Sequence, residues 1–85
     1  MAINIERNNI DGLEYSYSVI TSWLGPVEVY GAKAEMRENG MLICENALEN
    51  IFCDRSEADE FVAMLFENEV DPCHLADVAE DWLVR

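Results

Sequence analysis

Cys73 and His74 are adjacent residues whose types could do chemistry, and they follow directly after Asp71-Pro72. A thiol at a helix N-terminus can have a lowered pKa, and a neighbouring imidazole could assist it as a nucleophile. The chain has no second histidine, however, and adjacent residues of a helix point about 100° apart, which suits one metal ion poorly. The pattern favours a structural role: Asp71 is the N-cap, Pro72 is the first helical residue, and one of the pair leans towards the protein interior.

A zinc site is the second chemistry that these residue types allow. Its four ligands would be Cys44, Cys53, Cys73 and His74. No C-x2-C pair is present, and two of the cysteines lie within strand-like segments, so the spacing does not favour zinc. An odd number of cysteines is typical of a reducing compartment. We therefore expect no metal ion, no cofactor and a soluble, cytoplasmic protein.

Acidic residues are so abundant that no single carboxylate is indicated as a catalytic group. Asp and Glu number 18 against five Lys and Arg in 85 residues, for a net charge of −13. No carboxylate has a visibly apolar neighbourhood of the kind that a general acid needs. The chain also lacks a glycine-rich phosphate loop and the G-x-S-x-G and H-E-x-x-H motifs. We expect a protein that is not an enzyme.

The negative charge predicts the chemistry of a partner. It repels nucleic acid and anionic lipid, so we expect no direct binding to either and a basic protein partner instead. Residues 54–81 hold ten acids and one base, Arg55. A net charge of magnitude about 2–8 usually keeps a small domain soluble, and the total here is larger. Two explanations fit this excess of negative charge: binding to a basic surface, or a role in solubility alone.

Two groups of residues are candidates for partner binding. The first group is the acidic surface of the predicted helices: Glu57, Asp59, Glu60, Asp77, Glu80 and Asp81. The second is the aromatic pair Trp23 and Tyr30, near the end of a predicted hairpin, where such side chains often anchor interfaces. An edge strand could also pair with its copy in a homodimer.

Alternating apolar residues from residue 14 to about 54 predict the strands that position these groups. One face of the first strand holds Tyr15, Tyr17, Val19, Thr21 and Trp23. Gly25-Pro26 predicts the next turn. In the second strand the apolar phase shifts beside Gly31, which predicts a β-bulge where glycine can adopt a positive φ. Asn39-Gly40 predicts a type I′ turn into a third strand with an irregularity near Asn46. Residues 2–6 can add a short fourth strand.

The period of the apolar residues changes at Asp54 and predicts two helices. Asp54 or Ser56 is the N-cap of the first, which runs to about Glu69 with apolar residues three and four apart. The second begins at Asp71-Pro72. Its apolar stripe is Leu75, Val78, Ala79, Trp82 and Leu83.

These elements predict one α+β domain over residues 1–85. Burying all the apolar stripes requires a three- or four-stranded antiparallel meander with two C-terminal helices packed on one face. The longest apolar run, residues 61–66, is far shorter than the roughly 20 residues that span a bilayer. The N-terminal residues do not have the pattern of a signal peptide.

In the C-terminal third of the chain, Asn50-Ile51 ends a strand, Asp54 follows, and after a helix comes a V-x-P-x-H-L-x-D-V-x-E-D-[WYF]-L segment at residues 70–83. This pattern resembles a family of short, uncharacterised proteins of Gram-positive bacteria. Tyr30-Gly31 is a looser match to a Y-G-V-E strand of that family. The resemblance implies a compact α+β fold and a domain of unknown function, and it implies no activity.

Two functions from different classes fit these observations. In the first, the protein is an acidic regulator that inhibits a basic nucleic-acid-binding protein by occupying its nucleic-acid site. Inhibitors of host defence nucleases encoded by phages or mobile elements are similar in size and charge. In the alternative, it is a homo-oligomeric structural protein that assembles through a sheet edge, and its charge serves solubility only.

Overall fold

The protein is an antiparallel sheet followed by two helices, as the sequence predicts. The structure is a computed structural model that describes residues 4–8, by their backbone, and 12–84. Its elements are β1 (Asn4–Asn8), β2 (Leu13–Leu24), β3 (Val27–Glu38), β4 (Met41–Phe52), α1 (Arg55–Glu67), a 3₁₀ turn (Pro72–His74) and α2 (Leu75–Leu83). The four strands follow one another in the order β1-β2-β3-β4. This confirms the α+β meander. The short N-terminal strand is present, but it ends at Asn8 and not at residue 6 as predicted, and residues 2 and 3 lie outside the described part of the chain.

The turn from β3 to β4 has the geometry that its sequence predicts. Asn39 has a φ of 52° and Gly40 a φ of 85°. A type I′ turn requires positive φ at both central residues, which asparagine and glycine tolerate best. A local signal of two residues therefore fixes how β3 and β4 pair.

The helices cover one face of the sheet and form the core with it. Val19 pairs with Ala32 and Tyr17 pairs with Ala34, so β2 and β3 present these side chains on the same face. The short alanine side chains let α1 lie close to β3. The core residues are Tyr17, Val19, Ala32, Ala34, Phe52, Ala58, Phe61, Val62, Leu65, Leu75 and Ala79. Trp23 follows the same alternation as Tyr17 but is 63% exposed, at the far end of β2.

The irregularity beside Gly31 lies between β3 and β4, and the predicted positive φ at this glycine is wrong. The ladder between β2 and β3 is continuous. Tyr30 pairs with Phe52 and Ala32 pairs with Leu48, so residues 49–51 of β4 lie opposite Gly31 alone. The positive φ belongs to Asn50, at 60°. Glycine is required for a different reason, because a Cβ atom here would lie 1.9 Å from the carbonyl oxygen of Leu48.

The apparent shift in the alternation of apolar residues along β3 is explained by how β3 pairs with β2. Val29 pairs with Ser22, so it belongs to the opposite face of the sheet from Ala32. The second irregularity is also displaced from its predicted position near Asn46. Asn46 pairs regularly with Ala34, and the extra residue of β4 is Ile43. The position of neither irregularity could be predicted from the sequence of a single strand, because a bulge depends on how two strands pair.

Both helical segments begin at the aspartates that the sequence indicates. The Asp54 carboxylate accepts a hydrogen bond from the backbone N–H of Ser56 at 3.0 Å. The Asp71 carboxylate accepts one from the N–H of Cys73, also at 3.0 Å. Asp54, and not Ser56, is therefore the N-cap of α1, which ends at Glu67 rather than Glu69. Within residues 4–8 and 12–84, no helix combines the length and the apolar character needed to cross a membrane.

The segment between α1 and α2 is held against the sheet by side chains of two strands. The buried Tyr17 donates its hydroxyl proton to the backbone carbonyl of Val70 at 2.8 Å. Asn46 donates from its side-chain amide to the carbonyl of Pro72 at 3.3 Å. The sheet therefore determines where α2 begins.

The close approach at Gly31 yields a stability prediction. We expect Gly31→Ala to lower the free energy of unfolding by about 2–3 kcal/mol, because β4 must move away to admit the methyl group. Gly25→Ala is the matched control. A Cβ atom at position 25 would meet nothing within 4 Å, and the backbone there has a φ of 59°. Gly25→Ala should therefore cost only the strain of a left-handed backbone conformation, about 1 kcal/mol. Urea unfolding measures both, and equal losses would contradict the steric explanation.

Candidate functional site

The outer face of α2 carries three exposed carboxylates, those of Asp77, Glu80 and Asp81. Leu75 and Ala79 are buried on the opposite face. Val78 and Trp82 pack against the core, as their positions in the apolar stripe predict. Leu83, the last residue of that stripe and of α2, is 49% exposed.

The predicted acids of α1 differ from one another in their surroundings. Glu60 is exposed, whereas Glu57 and Asp59 are half-buried. The Asp59 carboxylate lies 3.4 Å from Nε of Arg55, one turn earlier. Arg55 therefore compensates the charge of Asp59 within α1, and the other two carboxylates present theirs to solvent.

Basic side chains lie mainly on the sheet. Lys33 and Arg37 flank Glu35, at 3.8 Å and 3.3 Å from its carboxylate. Residues 56–84, in contrast, contain no lysine or arginine. Among the described residues, the helical layer (residues 54–84) is thus the more negative side of the domain, and Arg55 is the base that it contains.

An open groove runs between α1 and α2 on the solvent side of the helical layer. Its lining is Met64 from α1 and Val78, Asp81 and Trp82 from α2. The surface of the groove is almost entirely apolar, and the exposed Asp81 borders it. The Trp82 ring packs edge-on against Phe61, with ring centroids 5.4 Å apart and planes at 71°. The indole is therefore held in place from below by the core.

Acidic residues flank this groove on both helices. Glu60 lies one turn before Met64 on α1, and Asp77 lies one turn before Asp81 on α2. Residues four apart are neighbours on a helix surface. Of the predicted acids, Asp81 borders this groove, which the sequence did not indicate, and helix spacing places Glu60 and Asp77 one turn from its lining residues.

The predicted aromatic pair, Trp23 and Tyr30, lies on the hairpin of β2 and β3, which is distant in sequence from the acidic residues of the helices. Trp23 is 63% exposed beside Leu24 and Val27, which are 56% and 53% exposed. Tyr30 is half-buried and packs against the core. Its hydroxyl donates a hydrogen bond to the Glu28 carboxylate, which raises the pKa of the phenol. Tyr30 thus has a structural contact, and Trp23 is the better interface candidate.

The sequence analysis did not identify a second group of exposed apolar residues, at the start of β4. Met41, Leu42 and Ile43 begin the edge strand β4 and are 73%, 43% and 50% exposed. The available signal was three consecutive apolar residues where a half-buried strand would alternate. Exposed apolar residues in a continuous run often mark an interaction surface.

Cys73 and His74 lie in the 3₁₀ turn, and both are exposed. The expectation that one would lean towards the sheet is wrong, because Pro72 takes the buried position at this turn. Of the other two cysteines, Cys53 is exposed and Cys44 is half-buried. Hydrogen bonding to the Asp71 carboxylate raises the pKa of the Cys73 thiol. This opposes the activation that a helix N-terminus can give a thiol.

For the part of the chain that it describes, the structure shows whether the four predicted zinc ligands come together. There, no three residues among His, Cys, Asp and Glu come together in a group that could hold a metal ion. Cys44, Cys53, Cys73 and His74 therefore do not form a common ligand set.

A family model described as a family of unknown function (DUF6514) matches residues 2–85. The match confirms the resemblance to a family of unknown function and extends it over nearly the whole chain. The Gram-positive origin of its members stays a prediction. No curated protein and no solved structure matches the chain.

The pKa of Cys73 gives a prediction about its reactivity. Asp71→Asn keeps a good N-cap but removes the negative charge, so the thiol pKa should fall towards its usual value. Since the thiolate is the reactive form, alkylation of Cys73 at neutral pH should become faster. Peptide mapping after timed iodoacetamide treatment across a pH series measures this. Asp77→Asn is the control for charge, and an unchanged midpoint of the pH–rate profile in Asp71→Asn would contradict the assignment.

Proposed function

We propose that this chain, which belongs to the DUF6514 family of unknown function, acts without catalysis by binding a basic protein through its helical layer. One observation carries the proposal: residues 56–84 contain nine acids and no lysine or arginine. The neighbouring base, Arg55, is already engaged with Asp59 at 3.4 Å. The negative potential of this layer is therefore available to an external cation.

A nucleic-acid-binding protein has the complementary chemistry, because it carries lysine and arginine side chains arranged to meet phosphates. Carboxylates on two packed helices can occupy such a surface in place of phosphates. Complementary potentials of this kind accelerate encounter and select the partner. The proposal therefore describes an inhibitor or regulator of a nucleic-acid-binding protein in the cytoplasm, comparable with inhibitors carried by phages and mobile elements.

The acids of the layer contribute unequally to this binding. Glu60, Asp77, Glu80 and Asp81 are exposed, and Glu57 is half-buried. Asp59 contributes less, because its charge is compensated by Arg55. The helices hold these carboxylates on a folded scaffold, so binding requires little ordering of the backbone.

Charge neutralisation tests this function. We expect the triple variant Glu60→Gln, Asp77→Asn and Glu80→Gln to weaken partner binding by about tenfold, since each exposed pair contributes about 0.2–1 kcal/mol. The control variant is Glu38→Gln, Glu45→Gln and Glu49→Gln, which removes the same charge from three exposed positions of the sheet.

The measurement is affinity capture from a lysate of the producing organism at low and high salt, with identification of the retained proteins. A basic nucleic-acid-binding protein should be retained at low salt, released at high salt, lost with the helical variant and kept with the sheet variant. Equal retention by wild type and helical variant would refute the proposal, as would equal loss with both triple variants.

A second candidate function is self-assembly through the exposed apolar residues of the sheet. The β2–β3 turn presents Trp23, Leu24 and Val27, each more than half exposed. Residues 24–27 are uncharged, and the nearest charged side chain in the sequence is that of Glu28, which pairs with Trp23 across the hairpin. The unpaired side of β4 offers a further surface, since an edge strand can pair with a copy of itself.

Self-assembly predicts a mass that rises with protein concentration and is insensitive to salt. Trp23→Ser should return the protein to a monomer if the tip forms the contact, because it removes the largest apolar side chain there. Leu42→Lys tests the edge of β4 in the same way. Sedimentation velocity over a series of concentrations measures the mass, and a wild-type protein that stays monomeric throughout would reject this function.

A further inference from the structure

The groove between α1 and α2 combines apolar walls with a single carboxylate. Met64, Val78 and Trp82 are half-buried, so part of each side chain faces the open space. Asp81 is exposed and borders the groove, whose own surface is almost entirely apolar. A ligand with an apolar portion and a cationic end could therefore contact the apolar walls and the Asp81 carboxylate together.

We propose that this groove binds an arginine side chain of the basic partner, an inference that rests on the proposed function. The methylene groups of arginine would lie against Met64 and Val78. The guanidinium would meet the Asp81 carboxylate and the face of the Trp82 ring. Arginine suits this site better than lysine because its planar cation is weakly hydrated, stacks on aromatic rings and binds a carboxylate through two hydrogen bonds.

The groove is organised for this ligand before binding. Trp82 packs edge-on against the fully buried Phe61 at 5.4 Å, which fixes the height and tilt of the indole. Phe61 itself packs against Phe52 of β4, also at 5.4 Å between centroids. A platform that is already held in place loses little side-chain entropy when a ligand binds.

The charge around the groove selects for a cation. Glu60 and Asp77 stand one turn from Met64 and Asp81, and the helical layer from residue 56 to 84 has no base that could pair with them. An apolar groove with a rim of one sign concentrates ligands of the opposite sign. Anionic and neutral peptides are disfavoured by the same potential.

Binding of two designed peptides to the full chain tests the inference. The peptides are amphipathic helices of identical sequence except that one carries arginine and the other lysine at every basic position. Fluorescence anisotropy of the labelled peptides should show the arginine peptide binding about fivefold more tightly. Asp81→Asn should weaken the arginine peptide about tenfold. Asp77→Asn, which removes the same charge one turn away, should weaken both peptides about twofold.

A second variant and a second readout keep the test independent of folding. Met64→Gln leaves the net charge unchanged and replaces a half-exposed residue, so it should preserve the fold and weaken the arginine peptide by severalfold. The two tryptophans provide an internal comparison in NMR spectra. The indole N–H signal of Trp82 should shift when the arginine peptide is added, and that of Trp23 should not.

Each outcome bears on the inference separately from the proposed function. Equal affinity for the two peptides, equal effects of Asp81→Asn and Asp77→Asn, an unshifted Trp82 signal or no binding would each overturn the arginine groove. Those results leave the charge-based binding of the helical layer standing if the lysate capture still depends on Glu60, Asp77 and Glu80. Loss of that dependence overturns the proposed function itself, whatever the peptides do.

Discussion

The hydrogen bond from Tyr17 to the Val70 carbonyl is the contact on which the arrangement of the helices depends. The Tyr17 ring lies fully buried between sheet and helices, and its hydroxyl reaches the chain at 2.8 Å, where α1 has ended and the 3₁₀ turn is about to begin. An intramolecular hydrogen bond of this kind contributes about 0.5–1.5 kcal/mol to stability. Together with the bond from Asn46 to Pro72, it sets the position of α2 against α1. The groove between them exists because of that position.

Features fixed by a few neighbouring residues were predictable from the sequence. Asp54 and Asp71 cap helical segments through backbone N–H groups two residues away. Asn39 and Gly40 have the positive φ angles of the predicted turn, although the Asn39 N–H also donates a hydrogen bond to the Gly12 carbonyl at 3.0 Å. The irregularities of β4 were not predictable in this way. The requirement for glycine at position 31 comes from the Leu48 carbonyl of another strand, and single-strand periodicity carries no information about such an approach.

The candidate site was predictable in its charge and not in its shape. The acids of α1 and α2 are visible in the sequence, and the spacing of Arg55 and Asp59 by four residues was a sufficient signal for their pairing. The groove needed the angle between two helices, which depends on the Tyr17 contact. Cys73 was placed wrongly because a 3₁₀ turn presents successive side chains differently from an α-helix.

The irregularities of β4 affect how its free edge can pair with a strand of another molecule. Its free edge has regular pairing geometry only from Cys44 to Leu48, because Ile43 on one side and residues 49–51 on the other depart from the ladder. A stretch this short can pair with only a few residues of another molecule, and bulges are among the devices that keep edge strands from joining without limit. The same bulge that demands glycine at position 31 thus limits the length of any strand pairing along this edge.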